Sequence, residues 1–188
     1  MNLHPFSIPK PQILALTLAV LASPWALSQQ TSYTGVGNVE TTIIEQVLSV
    51  EATQNLSFGS IFPISTPETV TLTNPTNSPN QPPVVTVSNS NLLIVDNPTL
   101  GIWDILGVPG ALVSVTLPAD GTITIDDGTG NSMPVEGFGI RSGAGASLNL
   151  TLGGSGSYRF SVTATLNVGA NQPAGAYSGT YPITVNYQ

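Results

Sequence analysis

Alternation of apolar and polar residues along several stretches constrains the fold of this chain more than any other feature. From Arg159 to Val168 every even position is apolar and every odd position is polar. The same period of two recurs within residues 113–117, 123–125, 147–152 and 181–187. This period is typical of a β-strand with one buried face and one solvated face, as in antiparallel sheets.

Clusters of Gly, Pro, Asp and Asn separate the alternating stretches. They lie at residues 75–83, 107–110, 126–131 and 153–156. Such clusters mark turns, and many short strands between turns indicate a β-sandwich. No linker divides this part of the chain, so we predict one all-β domain, an antiparallel β-sandwich, over residues 43–188.

The beginning of the chain has the pattern of a secretory signal peptide over residues 1–28. Lys10 lies in a segment without acidic residues, and a mainly apolar stretch follows from Ile13 to Leu27. The stretch is too short for a comfortable membrane span of about 20 residues, and the small residues Ala26 and Ser28 place cleavage after Ser28. An uncleaved membrane anchor is the alternative. We therefore expect export through the periplasm to the cell surface or beyond, and no transmembrane segment in the mature form.

The composition argues against enzymes and nucleic-acid binders. The chain has no Cys, and its one His and one Lys, His4 and Lys10, both lie in the predicted signal peptide. The mature chain then lacks the commonest general bases and several common nucleophiles. Two arginines against ten acidic residues also cannot neutralise a phosphate backbone. We expect no catalytic activity, no cofactor and no nucleic-acid partner.

Two further groups of side chains are weaker candidates for a binding site. Asp120, Asp126, Asp127 and Asn131 carry oxygen ligands, but their spacing matches no calcium motif, so a solvated turn is favoured. Trp103 is either a core residue or a platform on which a sugar stacks. Neither group leads us to predict a metal site.

The end of the chain carries the most distinctive motif. Residues 171–179 read NQPAGAYSG, an alternating stretch follows, and Tyr187 is the penultimate residue. Together with Leu56–Gly59, Gly107–Gly110 before Leu117-Pro118, and Thr165–Val168, this pattern resembles the domain-of-unknown-function 4402 family. That family is similar to chaperone–usher pilins and to spore coat U-like proteins. The resemblance covers the chain from about Glu40 to its end.

The resemblance implies an immunoglobulin-like, pilin-like sandwich that lacks its last strand. In such subunits the resulting groove is filled first by a periplasmic chaperone and then, after delivery to an outer-membrane usher, by the N-terminal extension of the next subunit. The assembly strand and groove predicted here include Gly175, Tyr181, Ile183, Val185 and Tyr187. The candidate donor strand is residues 29–42, in which Tyr33, Gly35, Gly37, Val39 and Thr41 share one face of an extended chain. We therefore expect a structural subunit of a pilus-like or cell-surface fibre that assembles with copies of itself.

A different interpretation stays open for the same residues. The C-terminal strand is then the ordinary closing strand of a complete sandwich, Gly175 and Gly179 are turn residues with positive φ, and Tyr187 is a core aromatic. The protein would be a self-contained secreted binding module for a carbohydrate or a surface, with Trp103 as one contact. A donor segment that is dispensable for stability would favour this alternative.

Overall fold

The structure is a computed structural model and is described for part of the chain. The described residues are 33–43, 45, 47–62, 64–76, 78–89, 92–141 and 148–188. The chain divides into two units, Met1–Thr42 and Ile43–Gln188. The predicted signal peptide and residues 29–32 of the candidate donor lie outside the described residues.

The described residues form ten β-strands and no helix. The strands are β1 (Ser49–Gln54), β2 (Glu68–Thr73), β3 (Val84–Val87), β4 (Gly101–Leu106), β5 (Leu112–Thr116), β6 (Ile123–Asp126), β7 (Ser132–Arg141), β8 (Asn149–Thr151), β9 (Ser157–Val168) and β10 (Thr184–Tyr187). Every strand pair is antiparallel, in one sheet of seven strands and one of three. The predicted all-β antiparallel class, with its sandwich-like arrangement, is confirmed. No helix able to cross a membrane occurs in the described part of the chain.

The larger sheet is built around the long strand β9. Leu166 pairs with Val70 of β2 and also with Val135 of β7. Val162 pairs in the same way with both β4 and β7. A residue pairs with one neighbour at each edge, so β7 occupies one edge of β9 while β2 and β4 lie end to end along the other. β1 then extends the sheet beyond β4, β3 extends it beyond β2, and β6 extends it beyond β7.

The prediction that one face of β9 is solvated is wrong at the centre of the strand. Ser161 and Thr163 are buried there like the apolar residues beside them. The buried Asn74, which follows β2, donates from Nδ2 to Ser161 Oγ at 3.1 Å. Ser161 Oγ donates to the Arg141 carbonyl oxygen at 3.2 Å, and Thr163 Oγ1 donates to the Gly139 carbonyl oxygen, also at 3.2 Å. Hydrogen bonds to neighbouring elements thus replace water on this face.

The apolar side chains form two clusters. Core 1 consists of Phe58, Val70, Leu72, Leu92, Leu100, Ile102, Met133, Val135, Ala164, Leu166 and Val168. Core 2 consists of Ile105, Val113, Val115, Ile140, Leu150, Leu152, Phe160 and Val162. The small sheet, in the order β10-β5-β8, supplies three of the core 2 side chains from β5 and β8, and β10 packs Val185 and Tyr187 against the same cluster.

Candidate functional site

A groove of about 890 Å³ opens over core 1. This volume is near the upper end of the range for small-molecule sites, about 300–1,000 Å³. The first wall is Ala52 with residues 54–61, and the second wall is residues 172–181. The floor consists of Trp103, Ile123, Ile125, Met133, Val135, Phe138, Leu166 and Val168.

Both walls have main-chain groups without a strand partner. Among the described strands β1 pairs with β4 alone, so its other edge is open. Between Ala174 and Ile183, Ser178 is the one described residue outside a strand with main-chain hydrogen bonds, which it exchanges with Asp126 of β6 at 3.0 and 2.9 Å. Since neighbouring residues of an extended chain direct these groups to opposite edges, the edge away from β6 remains free for pairing.

The two walls run in opposite directions. At one end Ala52 pairs with Trp103, and the Trp103 indole Nε1 donates to the Tyr181 hydroxyl at 3.0 Å. At the other end the Asn171 amide donates to the Ile64 carbonyl oxygen at 2.7 Å. The first wall therefore begins where the second wall ends.

Aromatic side chains occupy the end of the groove at Tyr181, which we call the aromatic end. The Tyr181 ring centroid lies 5.8 Å from that of Trp103 and 5.3 Å from that of Phe138. Burial raises the pKa of the Tyr181 phenol, with a smaller opposing effect of the Trp103 hydrogen bond, so the phenol is neutral at ordinary pH. At the opposite, aliphatic end Gln172 Nε2 donates to the Ser132 carbonyl oxygen at 3.5 Å, and the nearby floor residues are Met133, Leu166 and Val168.

The NQPAGAYSG motif forms most of the second wall and is held by its own hydrogen bonds. Asn171 has a φ of 52°, which turns the chain out of β9. The Tyr177 hydroxyl donates to the Pro173 carbonyl oxygen at 2.8 Å and accepts a hydrogen bond from Gln172 Nε2 at 2.9 Å. The motif thus fixes the shape of the wall while most of its main chain stays free.

The suggestion of positive φ at Gly175 and Gly179 is wrong, because neither residue has it. Gly179 is required for a different reason. A Cβ at this position would lie 2.6 Å from the Thr124 carbonyl oxygen of β6, well inside van der Waals contact. Glycine here lets the second wall approach β6 closely.

The structure places the predicted assembly residues in two regions. Gly175 and Tyr181 line the groove. Tyr181 also packs against core 2, together with Ile183, Val185 and Tyr187, which do not line the groove. The Tyr187 hydroxyl accepts a hydrogen bond from the Val108 amide at 2.9 Å and donates to the Val47 carbonyl oxygen at 3.1 Å. The last residues of the chain thus close core 2, and the residues before them border the groove.

The candidate donor residues belong to the first unit and are described by themselves. Tyr33, Gly35, Gly37, Val39 and Thr41 are exposed and belong to no strand. Their role as a donor strand stays a prediction.

The acidic candidates lie in two separate hydrogen-bonded turns, one with Asp126, Asp127 and Asn131 and one with Asp120. The Asp127 carboxylate accepts hydrogen bonds from the Thr129 amide at 2.8 Å and from Asn131 Nδ2 at 2.7 Å. The Asn131 side chain is the largest cause that holds the pKa of Asp127 well below its usual range. Asp120 accepts from the Gly137 amide at 2.8 Å. No group of three or more potential metal-binding side chains (Asp, Glu, His or Cys) occurs within the residues that the structure describes.

Sequence reasoning missed the first wall and the aromatic end as parts of a site. One signal was available, because the Leu56–Gly59 motif used for the family resemblance lies in the first wall. The pairing of Phe138 with Tyr181 joins residues that are far apart in sequence. No local pattern could have predicted that contact.

The fold and the site define an antiparallel, two-sheet β-protein with an open groove between the chain from Ala52 to Ile61 and the segment that precedes β10. The sequence model of a family described as a domain of unknown function (DUF4402) matches residues 48–187. The chain belongs to this family, as its motifs predict. Comparisons with curated proteins and with solved structures gave no match.

Proposed function

We propose that this protein is an exported structural subunit of a pilus-like or cell-surface fibre, with an immunoglobulin-like, pilin-like sandwich that is completed by another copy. The observation that supports this most strongly is the groove itself. An apolar floor over core 1 lies between two walls with unpaired main-chain groups. This arrangement is what an extended peptide needs in order to add as a strand, since the main chain pairs and alternate side chains enter the groove.

The physical chemistry of the open groove favours an occupant. An exposed apolar strand edge promotes aggregation unless something covers it. Each 100 Å² of apolar floor that a strand covers contributes about 2.5 kcal/mol at about 25 cal/mol per Å². A periplasmic chaperone and an outer-membrane usher are the partners that would protect such an edge in transit.

The N-terminal segment of a second copy has the length to fill the groove. The second wall has ten residues and spans about 33 Å in extended form. Residues 29–42 reach about 46 Å when extended, which is enough to line the whole wall. In this arrangement Tyr33, Gly35, Gly37, Val39 and Thr41 face the floor.

Substitution of two valines on opposite faces of the donor segment tests whether the segment fills the groove. Val39 is on the face that would enter the groove and Val36 is on the other face, and both are exposed in this structure. Exported full-length chains with Val39→Asp and with Val36→Asp are compared by sedimentation and thermal unfolding. We expect Val39→Asp to abolish assembly, because a carboxylate would be buried without a partner. Val36→Asp serves as the matched control and should assemble normally.

Deletion of residues 29–42 provides the second arm. The proposal predicts an aggregating or less stable protein that a synthetic 29–42 peptide rescues. A monomer of unchanged melting temperature with and without the segment would contradict the proposal and would favour a self-contained binding module.

A further inference from the structure

An exposed apolar patch adjoins the aliphatic end of the groove. Phe62, Leu93 and Val95 are 55%, 57% and 55% exposed. The Phe62 amide donates to the Leu93 carbonyl oxygen at 3.0 Å, and the Val95 amide donates to the Ser60 carbonyl oxygen at 3.0 Å. The three side chains therefore share the outer face of this short antiparallel pair.

The patch is continuous with the groove through the residues between its members. Ile61 pairs with Ile94 in an antiparallel bridge, and both side chains point inward and pack against core 1. Ile61 also lines the groove. An occupant that leaves the groove at its aliphatic end therefore passes directly beside Phe62.

The direction of the donor follows from pairing with the free edge of the second wall. All strand pairs in the described part of the chain are antiparallel, and antiparallel pairing is the more stable kind. A donor that is antiparallel to the second wall enters the groove at Tyr181 and runs toward Gln172. The donor then leaves at the aliphatic end, beside the patch, and its next residues belong to the body of the second copy.

The connection between donor and body is short. Six residues, 43–48, separate the donor from β1 of the same copy, and they reach at most about 20 Å. Ile43, the first of them, is 93% exposed. An exposed isoleucine thus follows the donor at the point where an exposed apolar patch borders the groove.

We propose that Phe62, Leu93 and Val95 form a second contact between copies, which receives Ile43 and the adjoining linker of the copy whose donor strand fills the groove. This inference rests on the proposed function and adds a surface outside the groove. It accounts for apolar side chains on both partners that the donor strand itself leaves uncovered.

Cysteine pairs in the exported full-length chain test the contact, since the natural chain has no cysteine. One variant combines Ile43→Cys with Leu93→Cys, and a short bismaleimide links nearby thiols. A second variant, Val39→Cys with Ala176→Cys, reports on the donor in the groove. The matched control is Ile43→Cys with Leu106→Cys, because Leu106 is 56% exposed and lies outside the patch.

We expect the first two variants to give ladders of linked copies on a denaturing gel and the control to give none. Phe62→Ser with Leu93→Ser should weaken assembly about tenfold, as expected for a lost apolar contact worth about 1.4 kcal/mol, while Leu106→Ser with Leu112→Ser should not. A ladder from the groove pair without one from the patch pair, with normal assembly of Phe62→Ser with Leu93→Ser, would overturn the inference and leave the proposed function intact. Absence of both ladders would overturn the proposed function and the inference with it.

Discussion

The two cores of this protein differ in how they are closed, although one stretch of chain borders both. Over core 2, β10 pairs with β5 along four residue pairs, and Tyr187 ties the end of the chain to residues near β1. Over core 1, residues 172–181 run past the apolar floor, and among the described residues Ser178 alone in this range has hydrogen bonds from main chain to main chain. A single C-terminal segment thus completes one half of the sandwich and leaves the other half open.

This contrast indicates that the groove is built into the fold. The second wall is held by Tyr177, Gln172 and the close approach of Gly179 to β6. A wall that is fixed in place while its main chain is unpaired is suited to receive a strand. Core 2 would then provide the stability of the isolated subunit, and core 1 would gain its full stability on assembly.

The largest expected difference between the two halves is in the free energy of unfolding that is lost when a large apolar side chain is replaced by alanine. Leu150→Ala in core 2 should destabilise the isolated chain by about 2–5 kcal/mol, because it leaves a cavity in a closed cluster. Ile125→Ala on the groove floor should cost clearly less in the isolated chain and more once the groove is filled. Chemical denaturation of unassembled and assembled protein measures both. Equal costs in the two states would show that the groove floor is not covered on assembly.

The fixed second wall predicts the next largest effect. Gly179→Ala places a methyl group 2.6 Å from the Thr124 carbonyl oxygen, so the wall must shift, at a cost of about 1–3 kcal/mol. Gly154→Ala is the control, since a Cβ there meets nothing within 4 Å. Thermal unfolding together with the assembly assay should show both defects for Gly179→Ala and neither for the control. Normal assembly of Gly179→Ala would mean that the position of the wall does not matter.

Removal of one tyrosine hydroxyl from each half should have a smaller effect, on stability in the closed half and on assembly in the open half. Tyr187→Phe removes the hydrogen bonds to Val108 and Val47 and should cost about 1 kcal/mol in the isolated chain. Tyr177→Phe releases Pro173 and Gln172 in the groove wall and should affect assembly more than stability. The comparison of urea midpoints with assembly yields for both variants checks this. If Tyr187→Phe mainly reduced assembly and Tyr177→Phe mainly reduced stability, core 2 could not be the closed half and core 1 the open half.

The smallest effect concerns the exposed ion pair of Arg159 with Asp104, whose two hydrogen bonds measure 2.7 and 2.6 Å. The hydrogen bond from Arg159 is the largest cause of the lowered pKa of Asp104. Because the folded pKa lies below the unfolded value of about 3.9, the pair contributes stability above that pH. The contribution is lost as the pH falls through the folded pKa. Asp104→Asn should therefore slightly lower the melting temperature at pH 7 and leave it unchanged in strong acid. A difference that persists in acid would point to a cause other than the ion pair.

The sequence predicted the class of the fold because period two is a local property of each strand. The alternation in 159–168 and 181–187 marks β9 and β10 correctly, and the turn clusters separate real strands. The burial of Ser161 was not predictable, since Asn74 reaches it across 87 residues. Pairing partners, and with them the buried polar contacts, depend on the whole topology.

The candidate site was predicted in part. Gly175 and Tyr181 line the groove as expected from the C-terminal motif. The same reasoning could not separate them from Ile183, Val185 and Tyr187, which pack against core 2 without lining the groove. The alternation runs from Tyr181 to Tyr187 without a break, so it does not mark where the open half ends and the closed half begins. That change depends on whether β5 or the open groove lies beside the chain.

Amide hydrogen exchange at the second wall tests the central claim most directly. The amides of Gly175, Tyr177 and Gly179 are measured in assembled protein and in the Val39→Asp subunit. We expect fast exchange in the subunit and strong protection on assembly, because a strand from another copy then pairs with this edge. Equally fast exchange in assembled protein would contradict it.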